Sequence, residues 1–412
     1  VNIEGNKNYT RSYVLGKLKL RSPAATSYKR FSEGVNNLSA TGNFQDINYR
    51  FFKDEDDKTT VSFNLRESDS KLLLRLGAHY DPLYKTAALV NITRKRIITN
   101  NDIASLDVIV GDNTRYDFNY YIDKGYYWSV GLNSRYNAFE KNVSVGFIYE
   151  DDIPDEVLTL NQIDFNFRDL TNQVFVQTLF RRSYLLRMGL EHKWLRYFTN
   201  TIGIDENNKP RTMFEDTNYF STYGTLLFDT YDNKYFPKKG FYFEGDFHLY
   251  LFSKGMFDNI DQYSIAKAKL GFAQRIFKNC SFVFSSEGGV KIGGSSIESL
   301  DFFLGGYGFK QINNNISFVG YDALDLRGDT YVKSTLDLNY EIYPRTYLTA
   351  SLNIANVGDR LFTTSEWIDG IDYTGYAIGA SMDTFIGPIE AKYSFSPERD
   401  EGEWYVSVGF RF

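Results

Sequence analysis

The chain is short of the residues on which several functional classes depend. A single cysteine, Cys280, excludes an internal disulfide framework and leaves the compartment open. Only three histidines occur, His79, His192 and His248, in separate segments whose spacing does not require them to converge, so neither a metal site nor any other cofactor is expected. No run approaches the roughly 18 consecutive apolar residues that a spanning helix needs. Positive charge is not in excess: the formal net charge is -6, with basic and acidic residues interleaved, which argues against a nucleic-acid partner. The start, Val1-Asn2-Ile3, lacks a leader pattern and is expected to follow a signal peptide or another domain.

Aromatic residues are what the chain does have. They make up 17% of its 412 residues, as 35 Phe, 32 Tyr and 4 Trp, although the mean hydropathy is negative. Aromatic girdles around a polar lumen would reconcile these two facts.

Residues 1–68 differ from the rest. A strand at Val1–Ile3, a helical pattern over Tyr9–Leu20 with Thr10 as N-cap, and a second helix over Tyr28–Ala40 ending before Gly42 lead into strands at Phe44–Phe52 and Thr59–Arg66. This order predicts a small α+β unit. From residue 69 the helical period gives way to segments of about ten residues that alternate apolar with polar. Over Tyr331–Tyr343, Leu336, Leu338, Tyr340 and Ile342 share one face, and Lys333, Asp337, Asn339 and Glu341 the other. A soluble sandwich also alternates. Turns that alternate between short and long, and a polar face mixing both charge signs, favour a barrel facing outer-membrane lipid.

The runs exceed an even number by one. Turn parity then requires 158–168 and 172–181 to be one strand passing through Asp169, with long outer loops from Asn137 to about Glu156 and from Thr199 to Asn218. The fold class expected is mainly β: a sixteen-stranded antiparallel transmembrane β-barrel over 69–412, preceded by an N-terminal α+β domain.

Four stretches carry a family resemblance: Leu38-Ser-Ala-Thr-Gly-Asn-Phe44, Phe228-Asp-Thr-Tyr-Asp-Asn-Lys-Tyr-Phe-Pro-Lys-Lys-Gly240, Gly375-Tyr-Ala-Ile-Gly379 with Gly387-Pro-Ile-Glu390, and the terminal Val406-Ser-Val-Gly-Phe-Arg-Phe412. The resemblance is to the outer-membrane assembly and secretion superfamily of the BamA, TamA and FhaC type. It implies that 1–68 is a periplasmic POTRA domain and that about 293–329 folds back into the lumen, with Gly305 and Gly306 giving tight backbone turns. It also implies that Phe410 and Phe412 belong to a signal read by the barrel-assembly machinery during biogenesis. The family carries Val-Arg-Gly-Phe or Val-Arg-Gly-Tyr at the loop tip. Here the tip is Phe318-Val319-Gly320-Tyr321, and Val319 cannot make the arginine's charge-assisted bonds to the wall. Arg327 is a candidate substitute, and Asp229, Asp337 and Glu341 are candidate loop partners.

A narrower resemblance, carried by Asn6-Lys-Asn-Tyr-Thr-Arg-Ser-Tyr-Val14, Leu304-Gly-Gly-Tyr-Gly308 and Tyr235-Phe-Pro-Lys-Lys-Gly-Phe-Tyr242, is to the C-terminal half of Bacteroidota patatin-like phospholipase proteins. It implies an upstream patatin-like domain for which this chain is anchor and conduit, with a homodimer as one assembly. The chain itself is expected to be no enzyme. It lacks Gly-x-Ser-x-Gly, Gly293-Gly-Ser-Ser-Ile297 reads as a loop, and Asp369-Gly370 lacks a following small residue. The alternative is a stand-alone assembly factor or secretion pore, which needs the seam between first and last strands to open. A passive porin is a third option, against which the plugged lumen argues.

Overall fold

A computed structural model describes the chain apart from residues 21–25, 54–58, 126–127, 145–161, 181–182, 204–210, 294–297, 365–366, 368–369 and 411–412. The N-terminal unit runs β1 (Asn2–Glu4), α1 (Arg11–Leu18), α2 (Tyr28–Ala40), β2 (Phe44–Lys53) and β3 (Thr59–Glu67). Thr10 caps α1 by accepting from Tyr13 N at 3.2 Å, and Ser27 caps α2 in the same way through Arg30 N. In the sheet β3 is central, parallel to β1 and antiparallel to β2. Val14, Leu18, Phe31 and Leu38 bury their helical faces against Val61, Phe63 and Leu65. Each such side chain contributes about 1.5–3 kcal/mol of apolar burial. The helices cross so closely at Gly34 that a Cβ there would stand 2.2 Å from the Leu18 carbonyl oxygen.

The barrel follows. Its first eight strands are β4 (Leu72–Asp81), β5 (Lys85–Lys95), β6 (Asp102–Gly111), β7 (Arg115–Ile122), β8 (Ser129–Ser144), β9 (Gln162–Phe180), β10 (Tyr184–Thr199) and β11 (Thr212–Asp229). Next come β12 (Gly240–Gly255), β13 (Tyr263–Phe277) and β14 (Cys280–Ile292). A long connection carries three short strands, β15 (Phe302–Leu304), β16 (Asn315–Ile316) and β17 (Leu326–Gly328), which form a small sheet of their own. The wall resumes with β18 (Thr330–Tyr343), β19 (Thr346–Gly358), β20 (Tyr373–Thr384), β21 (Gly387–Phe395) and β22 (Glu403–Val408). These sixteen wall strands close in sequence order, every neighbour antiparallel. Strand β9 passes unbroken through Asp169, which pairs with Leu195 on one side and Asn137 on the other.

Two boundaries differ from the sequence reading. The outer loop expected from Asn137 begins later, because β8 continues to Ser144; residues 145–161 lie outside the described residues. Likewise β11 starts at Thr212, where a loop was expected until Asn218. In both extensions the ladder continues while the apolar half of the alternation fades, so the periodic signal stops before the hydrogen bonding does.

The alternation itself is realised as two faces. Leu338, Tyr340, Ile342, Phe241, Phe247, Leu348 and Trp404 are exposed on the outside, and Lys333, Asn339, Glu390, Lys392 and Ser407 are buried inside. The interior cluster joins the long connection to the wall, with Phe302, Leu304, Phe318 and Tyr321 packed in one cluster with Phe139, Phe165, Phe167 and Tyr219 of the wall.

Candidate functional site

Two joints organise the molecule: one at the rim that carries the N-terminal unit (the inner rim), the other in the lumen. At the inner rim, the β5–β6 and β7–β8 turns receive the unit. Lys95 Nζ donates to Thr41 O at 2.9 Å, Gly42 O at 3.1 Å and Asn43 Oδ1 at 2.9 Å. Lys17 pairs with Asp123 at 2.6 Å, and Tyr13 Oη donates to the same carboxylate at 3.3 Å. Burial, followed by the charge of Asp123, pushes the Tyr13 phenol well above its ordinary pKa, so it stays protonated, donating to Asp123 while accepting from Asn43 Nδ2 at 2.8 Å. Glu67 ties the unit's own first loop down, accepting from the backbone N–H of Lys7 at 2.7 Å, Asn8 at 2.8 Å and Tyr9 at 3.1 Å. Burial works to raise its pKa, but these bonds and the Asn8 side chain outweigh it and hold the carboxyl below its usual range.

In the lumen, the connection between β14 and β18 folds inward as a loop. Its backbone is held by tight turns. Gly305 and Gly306 have φ of +139° and +69°, and a Cβ on Gly305 would lie 1.8 Å from Asp322 O. Gly306 N donates to Tyr321 O at 2.8 Å, and Phe318 N returns a bond to Gly306 O at 2.9 Å. Phe318, Val319 and Tyr321 are buried. Val319 N donates to Asn353 on β19 at 3.1 Å, in the amide orientation that satisfies both polar atoms of that side chain. Gly375 on β20 makes room for the tip, since a Cβ there would meet Val319 O at 1.8 Å.

The loop leans on the last strands. Tyr307 Oη donates to Glu390 at 2.7 Å and accepts from Lys392 Nζ at 2.9 Å, and the ammonium also stands 4.1 Å from the ring centre. Tyr405 Oη donates to Tyr321 O at 2.5 Å. Arg399, in the connection from β21 to β22, is 3.1 Å from Asp325 and 3.0 Å from Glu403, and it donates to Gly320 O at 3.4 Å. Burial raises the Asp325 carboxyl although Arg399 pulls it down; the guanidinium is itself pushed up by Asp325 and Glu403 against burial, so Arg399 stays charged. On the far side the loop is tied to the wall as well, Lys141 of β8 pairing with Asp322 and Lys291 of β14 with Asp301. Arg135 and Lys267 reach Asn313 at 3.3 and 3.2 Å beside a polar cavity of about 290 Å³.

The residues singled out from sequence fall in different places. Arg327 sits on β17 and pairs with Glu298 at 3.0 Å, within the loop. Asp337 bonds Ser351 at 2.5 Å, and Lys392 lies 3.4 Å from the same hydroxyl, so it reaches Tyr307 through two intermediaries. Glu341 pairs with Lys238 at 2.6 Å and braces the β11–β12 turn at the inner rim. Asp229 is exposed at that rim and accepts from Tyr231 N at 2.9 Å. Phe410 is exposed beside Tyr235; Phe412 lies outside the described residues. Sequence reasoning did not single out Tyr307, Arg399 and Tyr405. Their only signal was that Lys392 and Ser407 occupy the lumen register, which marks β21 and β22 as facing something polar.

The sequence pattern that defines the OMP85 superfamily matches residues 59–412. The chain belongs to the OMP85 superfamily. Its fold is that of BamA from Haemophilus ducreyi lacking POTRA domains 1–3 (TM-score 0.64, 14% identity, 99% of this chain and 83% of that chain). It is also similar to CdiB from Acinetobacter baumannii (TM-score 0.61, 14% identity, 98% and 72%) and to CdiB from Escherichia coli (TM-score 0.61, 9% identity, 99% and 75%). No curated protein sequence matches the chain. This OMP85-type outer-membrane barrel therefore has its loop tip bound by Arg399 of the β21–β22 connection, while Arg327, the candidate substitute for the family's tip arginine, pairs inside the loop.

Proposed function

We propose that the barrel spans the outer membrane, that residues 1–68 form a POTRA domain on its periplasmic side, and that together they anchor a patatin-like phospholipase domain preceding residue 1. In this reading the exposed apolar girdle, Phe241, Phe247, Leu338, Ile342 and Leu348 among it, meets lipid. The barrel is delivered by the assembly machinery through its last strand, and the anchored protein can pair as a homodimer. The observation that carries the anchoring role is the inner-rim joint. Lys95 with three acceptors and Lys17 with Asp123 fix the unit to two turns, as a platform for an attached enzyme requires. The lumen, filled by the loop, suits an anchor better than an open pore.

A second reading, a stand-alone assembly factor or secretion pore, is favoured by one observation. The β22–β4 seam is paired at Val408 opposite Tyr80 alone among the described residues, and Leu72, Leu73, Leu74 and Leu76 of β4 are exposed. Mass spectrometry of the intact polypeptide from native membranes separates the two. An upstream segment with Gly-x-Ser-x-Gly is the expected result; further POTRA units, or a mature start near Val1, would overturn the anchoring role.

A further inference from the structure

The outward face of β9–β11 carries a cationic cluster that its own neighbours leave unbalanced. On β10, Leu195 and Tyr197 pack into the interior, so Arg196 and Phe198 point outward. Arg196 stands opposite Arg168 of β9, and Arg211 enters beside them from the residue before β11. All three guanidiniums converge on one ring. Their central carbons lie 4.9 Å (Arg211), 5.0 Å (Arg168) and 5.7 Å (Arg196) from the centre of Phe198, which is buried beneath them. A ring attracts each cation, but three cations on one ring repel one another. Asp216 answers one of them, standing 3.6 Å from Arg196 Nε while accepting from Trp194 Nε1 at 2.8 Å. Asp164, also in outward register on β9, is taken up by Thr199, Thr201, Asn166 and the backbone of Asn200. Glu140 of β8 is exposed on the same face and pairs with none of the three. Among the described residues no acceptor engages the guanidinium of Arg168 or Arg211, and Arg211 Nε is buried without a partner.

Height along the wall indicates what could balance the cluster. About twelve residues of β10 separate Arg196 from Tyr184 at the inner turn. At about 3.3 Å per residue and a tilt of about 40°, that is about 30 Å up the wall, just past an apolar band about 25 Å tall. The outward face changes character on the way. Met188 and Leu190 are exposed, and then His192 Nε2 donates to Asn218 Oδ1 at 2.9 Å while its Nδ1 accepts from Asn172 Nδ2 at 3.2 Å. We propose that Arg168, Arg196 and Arg211 form an outward-facing site for the phosphate monoester of a lipid headgroup in the outer leaflet. The inference rests on the membrane-spanning reading given above. Charge selects the ligand: three guanidiniums and one paired carboxylate leave an excess of two positive charges. A phosphate monoester carries close to two negative charges at pH 7 and offers three acceptor oxygens, whereas a diester carries one. Guanidinium forks match those oxygens in pairs.

The test places the full chain in phosphatidylcholine nanodiscs containing either phosphatidic acid, a monoester, or phosphatidylglycerol, a diester. Native mass spectrometry of the released protein reads the fraction that retains the anionic lipid. The native chain is expected to retain phosphatidic acid in preference. Arg168→Ala with Arg211→Ala should lower that retention about tenfold, the scale of losing charge-assisted bonds, and the corresponding pair of lysine substitutions should lower it less. Asp216→Asn, which removes the paired carboxylate, should raise it. Heat modifiability on gels confirms that each barrel is folded; if the alanine pair fails this check, the lysine pair and Asp216→Asn carry the test. Equal retention of the two lipids would overturn the proposal. So would an equal fall in Arg275→Ala with Lys278→Ala, which removes two exposed cations at the inner end of β13, because retention would then follow net charge alone. Displacement of the lipid by an equal concentration of inorganic phosphate would make free phosphate the ligand and overturn it too. Failure of the native chain to enter nanodiscs would instead overturn the membrane-spanning reading on which the site depends.

Discussion

Strands β8 and β9 pair without a break from Ser129 opposite Gln177 to Ser144 opposite Gln162, whereas β22 meets β4 at Val408 opposite Tyr80 alone among the described residues. Both are boundaries between neighbouring strands of one closed wall. The first is closed by backbone, and only a substitution to proline removes one of its hydrogen bonds. Beside the second, side chains bond the lumen loop to the last strands, and each of those is a single genetic change from being lost. The loop is bonded to both sectors, to β19–β22 through Asn353 and Tyr405 and to β8 and β14 through Lys141 with Asp322 and Lys291 with Asp301. One closed wall can thus hold one boundary through backbone and flank another with side-chain bonds that single substitutions remove.

Substitutions that unseat the loop tip should separate the two sectors most. Gly375→Ala places a Cβ against Val319 O, 1.8 Å away before relaxation, and is expected to cost about 3 kcal/mol, near the top of the range for overpacking. Gly370→Ala, with nothing within 4 Å of its Cβ, is the matched control. Urea titration followed by heat modifiability should show a lower midpoint for the first and no change for the second. Tyr307→Phe keeps the ring and removes the hydroxyl that Lys392 and Glu390 share, for an expected loss of about 2 kcal/mol by the same assay. Equal losses from Tyr307→Phe and from Ser134→Ala on the long-laddered wall would erase the contrast.

The strand count and the fold class were legible in the sequence because both faces of a membrane strand write themselves at period two, and parity forced 158–168 and 172–181 into one strand. Strand ends were less legible. Where β8 and β11 run past the apolar girdle, the ladder persists on polar residues that read as loop. The loop's partners were least legible of all. Arg399 lies in an outer connection with no periodicity, and its loop acceptors Gly320 and Asp325 are 79 and 74 residues away. Arg327 was the nearer arginine in sequence, but β17 turns it toward Glu298. Asp229 and Glu341 shared a lumen-compatible register with Asp337, yet their height along the strand puts them at the inner rim, far from the tip. Register gives the face of a strand; height depends on where each turn begins.

The inner-rim joint offers a third sector, held by side chains and lying away from the exposed apolar girdle, so it should respond to pH. Lys95→Ala removes three bonds from a partly exposed site and is expected to cost about 1 kcal/mol, seen as a broader distance distribution between spin labels at Tyr28 and Lys124, both exposed.

Glu67 should give the smallest and most selective effect. Its folded pKa lies below the ordinary value, so its contribution is complete above that value and is lost as pH falls through the folded one. Between pH 7 and pH 5 the label distribution should therefore stay narrow, and it should broaden only below about pH 4, as protonation weakens the acceptor for Lys7, Asn8 and Tyr9. Glu67→Gln should be broadened already at pH 7 and stay the same on acidification. Broadening of the native protein between pH 7 and pH 5 would place control of the joint on a group other than this carboxylate. A Glu67→Gln variant that still broadens below pH 4 would likewise take control of the joint away from Glu67.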